Sequence, residues 1–253
     1  MRGNSCRRYL LGWVMLPVSL LLSHFSGCSG KGEKARTHAE RGLEAIKVGQ
    51  YDTALEEYRE ALRLDPENAT CYQAIGFLYA SRRQFERAER AYRKAVELDP
   101  EYAEAFNDLG CMVIYRTTQY AEGFSLFERA VQKAPDEPLF RVNMGNVLFH
   151  LGRYTEAVQA FREALHLDPA NGYAMIGLGD VAVKQGDYQR ATQHYTEALK
   201  IKEKNIDIHK GLGLVYAKQG NYDEAIRHYR TAIGIDPNDA KAHFGLGDVL
   251  MKT

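Results

Sequence analysis

The chain predicts an all-α solenoid, one short helix pair repeated in tandem, and three observations predict it. First, similar stretches begin at a step of 34 residues. Gly152-Arg153-Tyr154 runs to Leu167-Asp168-Pro169, Gly186-Asp187-Tyr188 to Leu199-Lys200-Ile201, and Gly220-Asn221-Tyr222 to Ile235-Asp236-Pro237. A fixed period of that size is the signature of a solenoid. Second, apolar residues within each unit lie three and four apart, which marks two amphipathic helices. Third, the stop signals recur. Gly49, Gly152, Gly186 and Gly220 close a first helix, since glycine accepts the left-handed cap conformation without steric cost. Asp65-Pro66, Asp99-Pro100, Asp168-Pro169 and Asp236-Pro237 close a second, because proline restricts the residue before it and has no amide proton.

In chain order, residues 1–27 stand outside this pattern. Arg2, Arg7 and Arg8 form a positive start, Tyr9 to Leu22 is uncharged and mostly apolar, and Ser26-Gly27 precedes Cys28. That is the layout of a secretory signal peptide, and the apolar run is short for a membrane span. Phe25-Ser26-Gly27-Cys28 resembles a bacterial lipobox, departing from it at Phe25, where leucine is usual. The resemblance implies cleavage before Cys28 and lipidation of that cysteine. Ser29 in place of aspartate then implies sorting to the outer membrane, facing the periplasm. Ordinary cleavage near Gly27 or Gly30 and an uncleaved anchor are the other readings. Residues 28–34 are expected to form a flexible tether.

Composition narrows the function classes. The 253 residues are 45% hydrophobic and 26% charged, ordinary for a globular protein. Lys plus Arg equals Asp plus Glu at 33 each, and removing Arg2, Arg7 and Arg8 leaves 30 basic residues against 33 acidic. Such a balance gives no reason to expect nucleic acid as a partner. Cys6 and Cys28 fall in the leader, so Cys71 and Cys111 remain. They sit in successive first helices at different heights, which disfavours a disulfide, and they are expected to be free, packed thiols. No CxxC is present.

From residue 35 the repeats are 35–68, 69–102, 103–137, 138–171, 172–205 and 206–239, with a half repeat at 240–253. The series resembles the tetratricopeptide repeat (TPR) family, whose pattern has Leu-Gly at positions 7–8, an aromatic at 11, Ala at 20, an aromatic at 24, Ala at 27 and Pro at 32. Repeat 206–239 shows Leu212-Gly213, Tyr216, Ala225, Tyr229, Ala232 and Pro237. Repeat 138–171 shows Met144-Gly145, Leu148, Ala157, Phe161, Ala164 and Pro169. Repeat 69–102 adds Ile75-Gly76, Tyr79, Ala88, Tyr92, Ala95 and Pro100. Glycine at 8 and alanine at 20 let paired helices approach closely, and the aromatics fill the space beside them. One unit cannot bury its own apolar face, so neighbours stack.

Departures carry expectations of their own. His38 and Arg41 give the first repeat a polar outer face suited to a cap. The third repeat has an extra residue in Thr117-Thr118-Gln119-Tyr120 and Gly123 in the alanine slot, which marks a loose junction. The fifth ends in Lys202-Glu203-Lys204-Asn205 without proline, so its second helix is expected to run on. Ala240 to Lys252 looks like a first helix without its partner, which suits either an imperfect cap or a chain that continues.

The family resemblance implies a right-handed superhelix whose concave groove is lined by first-helix positions 2, 5, 6, 9, 12 and 13. Here these include Asn107, Asp108, Cys111, Tyr115, Asn143, Asn146, Phe149, His150, Tyr173, Asp180, Val183 and Lys184, then Lys210, Leu214, Lys218 and Lys252. Aromatics, amides and charges suit an extended or helical peptide. The carboxylate clamp of chaperone-binding members is not matched, since its slots read Asn107, Cys111, Asn143, Tyr173 and Gly177. His194 and His228 share one repeat position, as do His209 and His243, but without carboxylates or thiolates they make a poor metal site. No nucleophile elbow, P-loop, dinucleotide fingerprint or HExxH occurs. The expectation is a non-enzymatic, lipid-anchored scaffold that binds a protein or peptide segment, with no cofactor, metal or small-molecule substrate. It resembles tetratricopeptide lipoproteins that assist assembly of envelope machinery. The alternative is the amino-terminal module of a longer enzyme or transport protein.

Overall fold

Helix and turn alternate at the repeat step through residues 30–253, the part described by the computed structural model. All thirteen elements are α-helices, and no strand occurs among the described residues. The chain forms two compact units that divide at Pro135/Asp136, the close of the third repeat. In the amino-terminal unit α1 (Gly30–Lys47) pairs with α2 (Tyr51–Leu64), α3 (Ala69–Ser81) with α4 (Phe85–Leu98), and α5 (Ala103–Thr117) with α6 (Tyr120–Lys133). In the second, α7 (Pro138–His150) pairs with α8 (Tyr154–Leu167), α9 (Gly172–Gln185) with α10 (Tyr188–Ile201) and α11 (Ile206–Lys218) with α12 (Tyr222–Ile235). There α13 (Ala240–Leu250) packs on α12 and α11. Inside each unit the second helix of one pair also packs on the first helix of the next, so each unit is a helix-pair stack of the expected class.

The recurring residues build the core. Ala54, Ala88, Ala157, Ala191 and Ala225 are fully buried, and Phe106, Phe127 and Phe161 are among the largest enclosed side chains. A Cβ placed on Gly76 would lie 2.7 Å from the Tyr92 ring, and one on Gly145 2.7 Å from Phe161. No real Cβ tolerates such a distance, so glycine is what admits the aromatic. In the second unit the same aromatic is gripped twice. Phe161 meets Gly145 and Gly177, Tyr195 meets Gly179 and Gly211, and Tyr229 meets Gly213 and Gly245. Each pair joins a repeat's own first helix to the first helix of the next repeat.

Helix ends follow local chemistry. Asn68, Asn171, Asn205 and Asp239 accept from the amides of Cys71, Ala174, Ile208 and Ala242, capping α3, α9, α11 and α13. Gly49, Gly152, Gly186 and Gly220 are left-handed, as expected, and Arg83 (φ 60) and Thr118 (φ 57) fill the same slot in repeats two and three. Cys71 and Cys111 are free and buried.

Four expectations are corrected or sharpened. α1 reaches back to Gly30, so residues 30–34 of the expected tether are helical. The second helix of the fifth repeat does not run on. It stops at Ile201, because the Asn205 carboxamide captures the Asp207 and Ile208 amides and starts α11. His38 does not lie on an outer face: its Nδ1 sits 2.6 Å from Glu57 Oε2 of α2, while Arg41 is exposed. Gly123 makes no void, since the Ile114 side chain occupies the alanine slot. Cys28 and the leader lie outside the described residues.

Candidate binding face

The first helices carry their repeating positions inward, which leaves the variable positions to form a face. In the second unit α7 touches α9, α9 touches α11 and α11 touches α13, so this face is continuous there. The expected groove residues divide sharply when placed on it.

In the amino-terminal unit Asn107 is 1% exposed and Cys111 is buried, so neither offers surface. Both belong to a polar knot and its packing. Gln73 Nε2 donates to Asp108 Oδ2 at 2.7 Å, Tyr102 Oη donates to Gln73 Oε1 at 2.9 Å, and Asn107 Nδ2 reaches Asp108 Oδ1 at 3.4 Å. Burial pushes the Asp108 carboxyl up to about 7 against the pull of the Gln73 and Asn107 donors. Tyr115 is half-buried, its ring 4.6 Å from that of Phe85.

In the second unit Asn143 is buried and Lys210 is engaged, its Nζ 3.0 Å from Asp207 Oδ1 and 2.9 Å from Asp239 Oδ2. Asn107, Cys111, Asn143 and Lys210 are therefore corrected from lining to support. The others remain accessible. Asn146, Phe149 and Tyr173 are half-buried, while His150, Asp180, Lys184 and Lys218 are exposed. Phe149 lies 5.6 Å from both the His150 and Tyr154 rings, and Lys202 Nζ sits 3.9 Å over the Tyr173 ring.

Asp180 stands on this face. Its side chain is open to solvent, yet protein surrounds it closely enough that desolvation pushes its carboxyl up to about 6. Tyr195 Oη donates to Asp180 Oδ1 at 2.5 Å, and Asp207, Lys184 and Lys241 all act on it. Those groups belong to α9, α10, α11 and α13. His150 is held below the ordinary imidazole value, first by partial burial and then by Lys184.

Two features escaped the sequence reading. An open cleft of about 660 Å³ lies between α8, α9 and α10, and its lining includes Leu178 and Val181 together with Arg162, His166, Arg190 and His194. The histidines that meet are His209 and His228, at 3.0 Å, rather than either pair sharing a repeat position. Only knowledge of how position 4 faces position 23 within a repeat reveals that contact. Among the described residues no group of three or more His, Cys, Asp and Glu is placed to hold a metal, and no helix is long and apolar enough to cross a membrane.

Family models described as tetratricopeptide or TPR repeats match residues 42–82, 69–102, 112–172, 142–206 and 213–253. No curated protein matches the chain. Among solved structures, PilF of Pseudomonas aeruginosa is 20% identical with a TM-score of 0.75, over 89% of this chain and 100% of that one. PilW, described as a widely conserved type IV pilus biogenesis factor, is 19% identical with a TM-score of 0.74, over 85% and 98%. Cut9, solved with Hcn1, is 20% identical with a TM-score of 0.76, over 96% of this chain but 46% of that chain. At these identities the likeness is one of fold.

Proposed function

The chain belongs to the tetratricopeptide repeat family, and from that premise we propose a non-enzymatic interaction scaffold that holds a peptide or protein segment on the first-helix face of its second unit. The observation that carries this reading is the continuity of that face, where α7 packs on α9, α9 on α11 and α11 on α13. A continuous surface of this kind, with Phe149 and Tyr173 for apolar contact and Asn146 for backbone hydrogen bonds, suits an extended ligand.

The scaffold is lipid-anchored through Cys28 and faces the periplasm from the outer membrane, where it serves assembly of an envelope complex. The support for this is the positive, apolar, small-residue leader and the lipobox-like Phe25-Ser26-Gly27-Cys28. PilW's description as a pilus biogenesis factor agrees with an envelope role. Two experiments test the proposal. Labelled lipid should appear on the native protein and vanish with Cys28→Ser; unchanged processing and localisation of that variant overturns the anchor. Affinity capture of the native partner should fail for Asn146→Ala combined with Phe149→Ala while the helical circular dichroism is retained. Unaltered capture places binding elsewhere, the cleft beside Arg162 being the next surface to probe.

A further inference from the structure

Position 13 of successive repeats is basic throughout the second unit: His150, Lys184, Lys218 and Lys252. It is a last-turn position of α7, α9 and α11 for His150, Lys184 and Lys218, and Lys252 follows two residues after the end of α13, so the four stand at the same end of successive first helices. In the amino-terminal unit the same position reads Lys47, Ser81 and Tyr115, and no such row exists. Cations at helix C-termini complement the helix dipole, but that role does not require them to be left without counter-charges. Lys184 and Lys218 are exposed and make no close ion pair among the described residues, though Lys184 acts on Asp180 one turn back on α9. Lys252 is held by Asp248 of its own helix, at 2.6 Å. Desolvation, and after it the Lys184 charge, hold the His150 imidazole below its ordinary value.

We propose that this row is a basic ladder that reads an acidic peptide in extended conformation, with carboxylates at every third residue. The register follows from geometry. Packed helices stand about 8–10 Å apart, and an extended strand advances about 3.3 Å per residue, so one rung corresponds to roughly three residues. The inference rests on the first-helix face being the binding surface, and it names the chemistry of the ligand there. A segment with clustered acids meets one rung and leaves the others in mutual repulsion. A segment with acids spaced by three relieves all of them.

The test uses the purified full-length chain and two fluorescein-labelled dodecapeptides. One contains four Glu-Ala-Ser triplets, and the other has the same composition with its glutamates contiguous. The triplet peptide should bind at least about 5-fold more tightly, and its affinity should fall as salt screens the contacts over a Debye length of about 8 Å. Lys184→Ala with Lys218→Ala removes two exposed ion pairs and should weaken the triplet peptide roughly 10-fold, with thermal melting unchanged. The His150 imidazole, followed by NMR, should titrate at higher pH in the complex. Equal affinity for both peptides, or an unaffected lysine variant, overturns the ladder. So does stronger binding of a single-stranded oligonucleotide or of phosphatidylglycerol vesicles, which makes the row a general polyanion surface. If native-partner capture survives Lys184→Ala/Lys218→Ala but fails with Asn146→Ala/Phe149→Ala, the ladder falls and the groove stands. If both variants capture the partner, the groove reading falls as well.

Discussion

His209 and His228 face each other through their Nδ1 atoms at 3.0 Å, and their surroundings fix which of the two carries the proton. His209 Nε2 lies 3.2 Å from the Glu203 carbonyl oxygen, which only accepts, so Nε2 donates and His209 Nδ1 is the acceptor. His228 Nδ1 therefore donates, and its Nε2 receives the Arg227 guanidinium at 3.4 Å. Tyr216 stacks on His228, 5.6 Å away with 12° between planes. Both imidazoles are neutral in this arrangement, and a proton added to either removes one contact.

The first prediction is a loss of stability in mild acid. Burial, then Arg227 and His209, push His228 down to about 4, while an unfolded histidine titrates near 6.5. Below about 6.5 the unfolded chain therefore binds the extra proton, so stability is complete above that pH and declines toward 4. Measured against His228→Phe, the wild type should lose on the order of 1–2 kcal/mol between pH 7 and pH 5. Urea denaturation of both proteins at the two values isolates this contribution from the opposite one of Asp108.

Asp108 carries the opposite sign. Its carboxyl is raised to about 7 by burial, so its neutral form favours the fold at low pH and that contribution is lost as pH rises through 7. Asp108→Asn keeps an acceptor for Gln73 and removes the buried charge. It should raise stability at pH 8 by on the order of 2–4 kcal/mol and progressively less toward pH 4, where the unfolded carboxyl also takes up its proton, as thermal melting across that range will show.

Glycines at one repeat position should respond oppositely to alanine. At Gly145 the new methyl meets the Phe161 ring, and Gly145→Ala should cost about 1–3 kcal/mol through overpacking. Gly247 has open space at the equivalent place, so Gly247→Ala should gain up to about 1 kcal/mol in helix propensity. Arg83, held at φ 60, should tolerate glycine with a gain of about 0.5–1 kcal/mol. Chemical denaturation of the three variants decides each sign.

The buried thiols should be inert. Burial pushes Cys71 up to about 12, and Cys111 is 8% exposed. Mass spectrometry after maleimide treatment at pH 7.5 should find both unmodified in the folded chain and alkylated in urea.

The repeat was legible because its positions answer to local rules: a left-handed cap at Gly152, a stop at Asp168-Pro169, a socket at Gly145 for Phe161. The site was less so. Asn107 and Asn143 stand at groove positions by number, but the packing of neighbouring helices buries both, and residue type alone does not separate an amide that meets a ligand from one that, like Asn107, satisfies a buried carboxylate. Lys210 reads like Lys218 until Asp239, the cap of α13, closes on it. The histidine contact depends on two residues 19 apart that share neither a face nor a repeat position.

The doubly gripped aromatics of the second unit bear on how such a protein changes length. Phe161, Tyr195 and Tyr229 each meet one glycine within their own period and one in the period that follows, and Gly177, Gly211 and Gly245 are interchangeable in that role. Excision of residues 172–205 would present Phe161 with Gly211, the same partner in the same register. Duplication of the segment would regenerate both contacts at each new seam. Gain or loss of a whole period is therefore an inheritable change that leaves every junction already solved. In the amino-terminal unit, where Asp108 stands in the second glycine's place, an equivalent change would have to carry Gln73 with it.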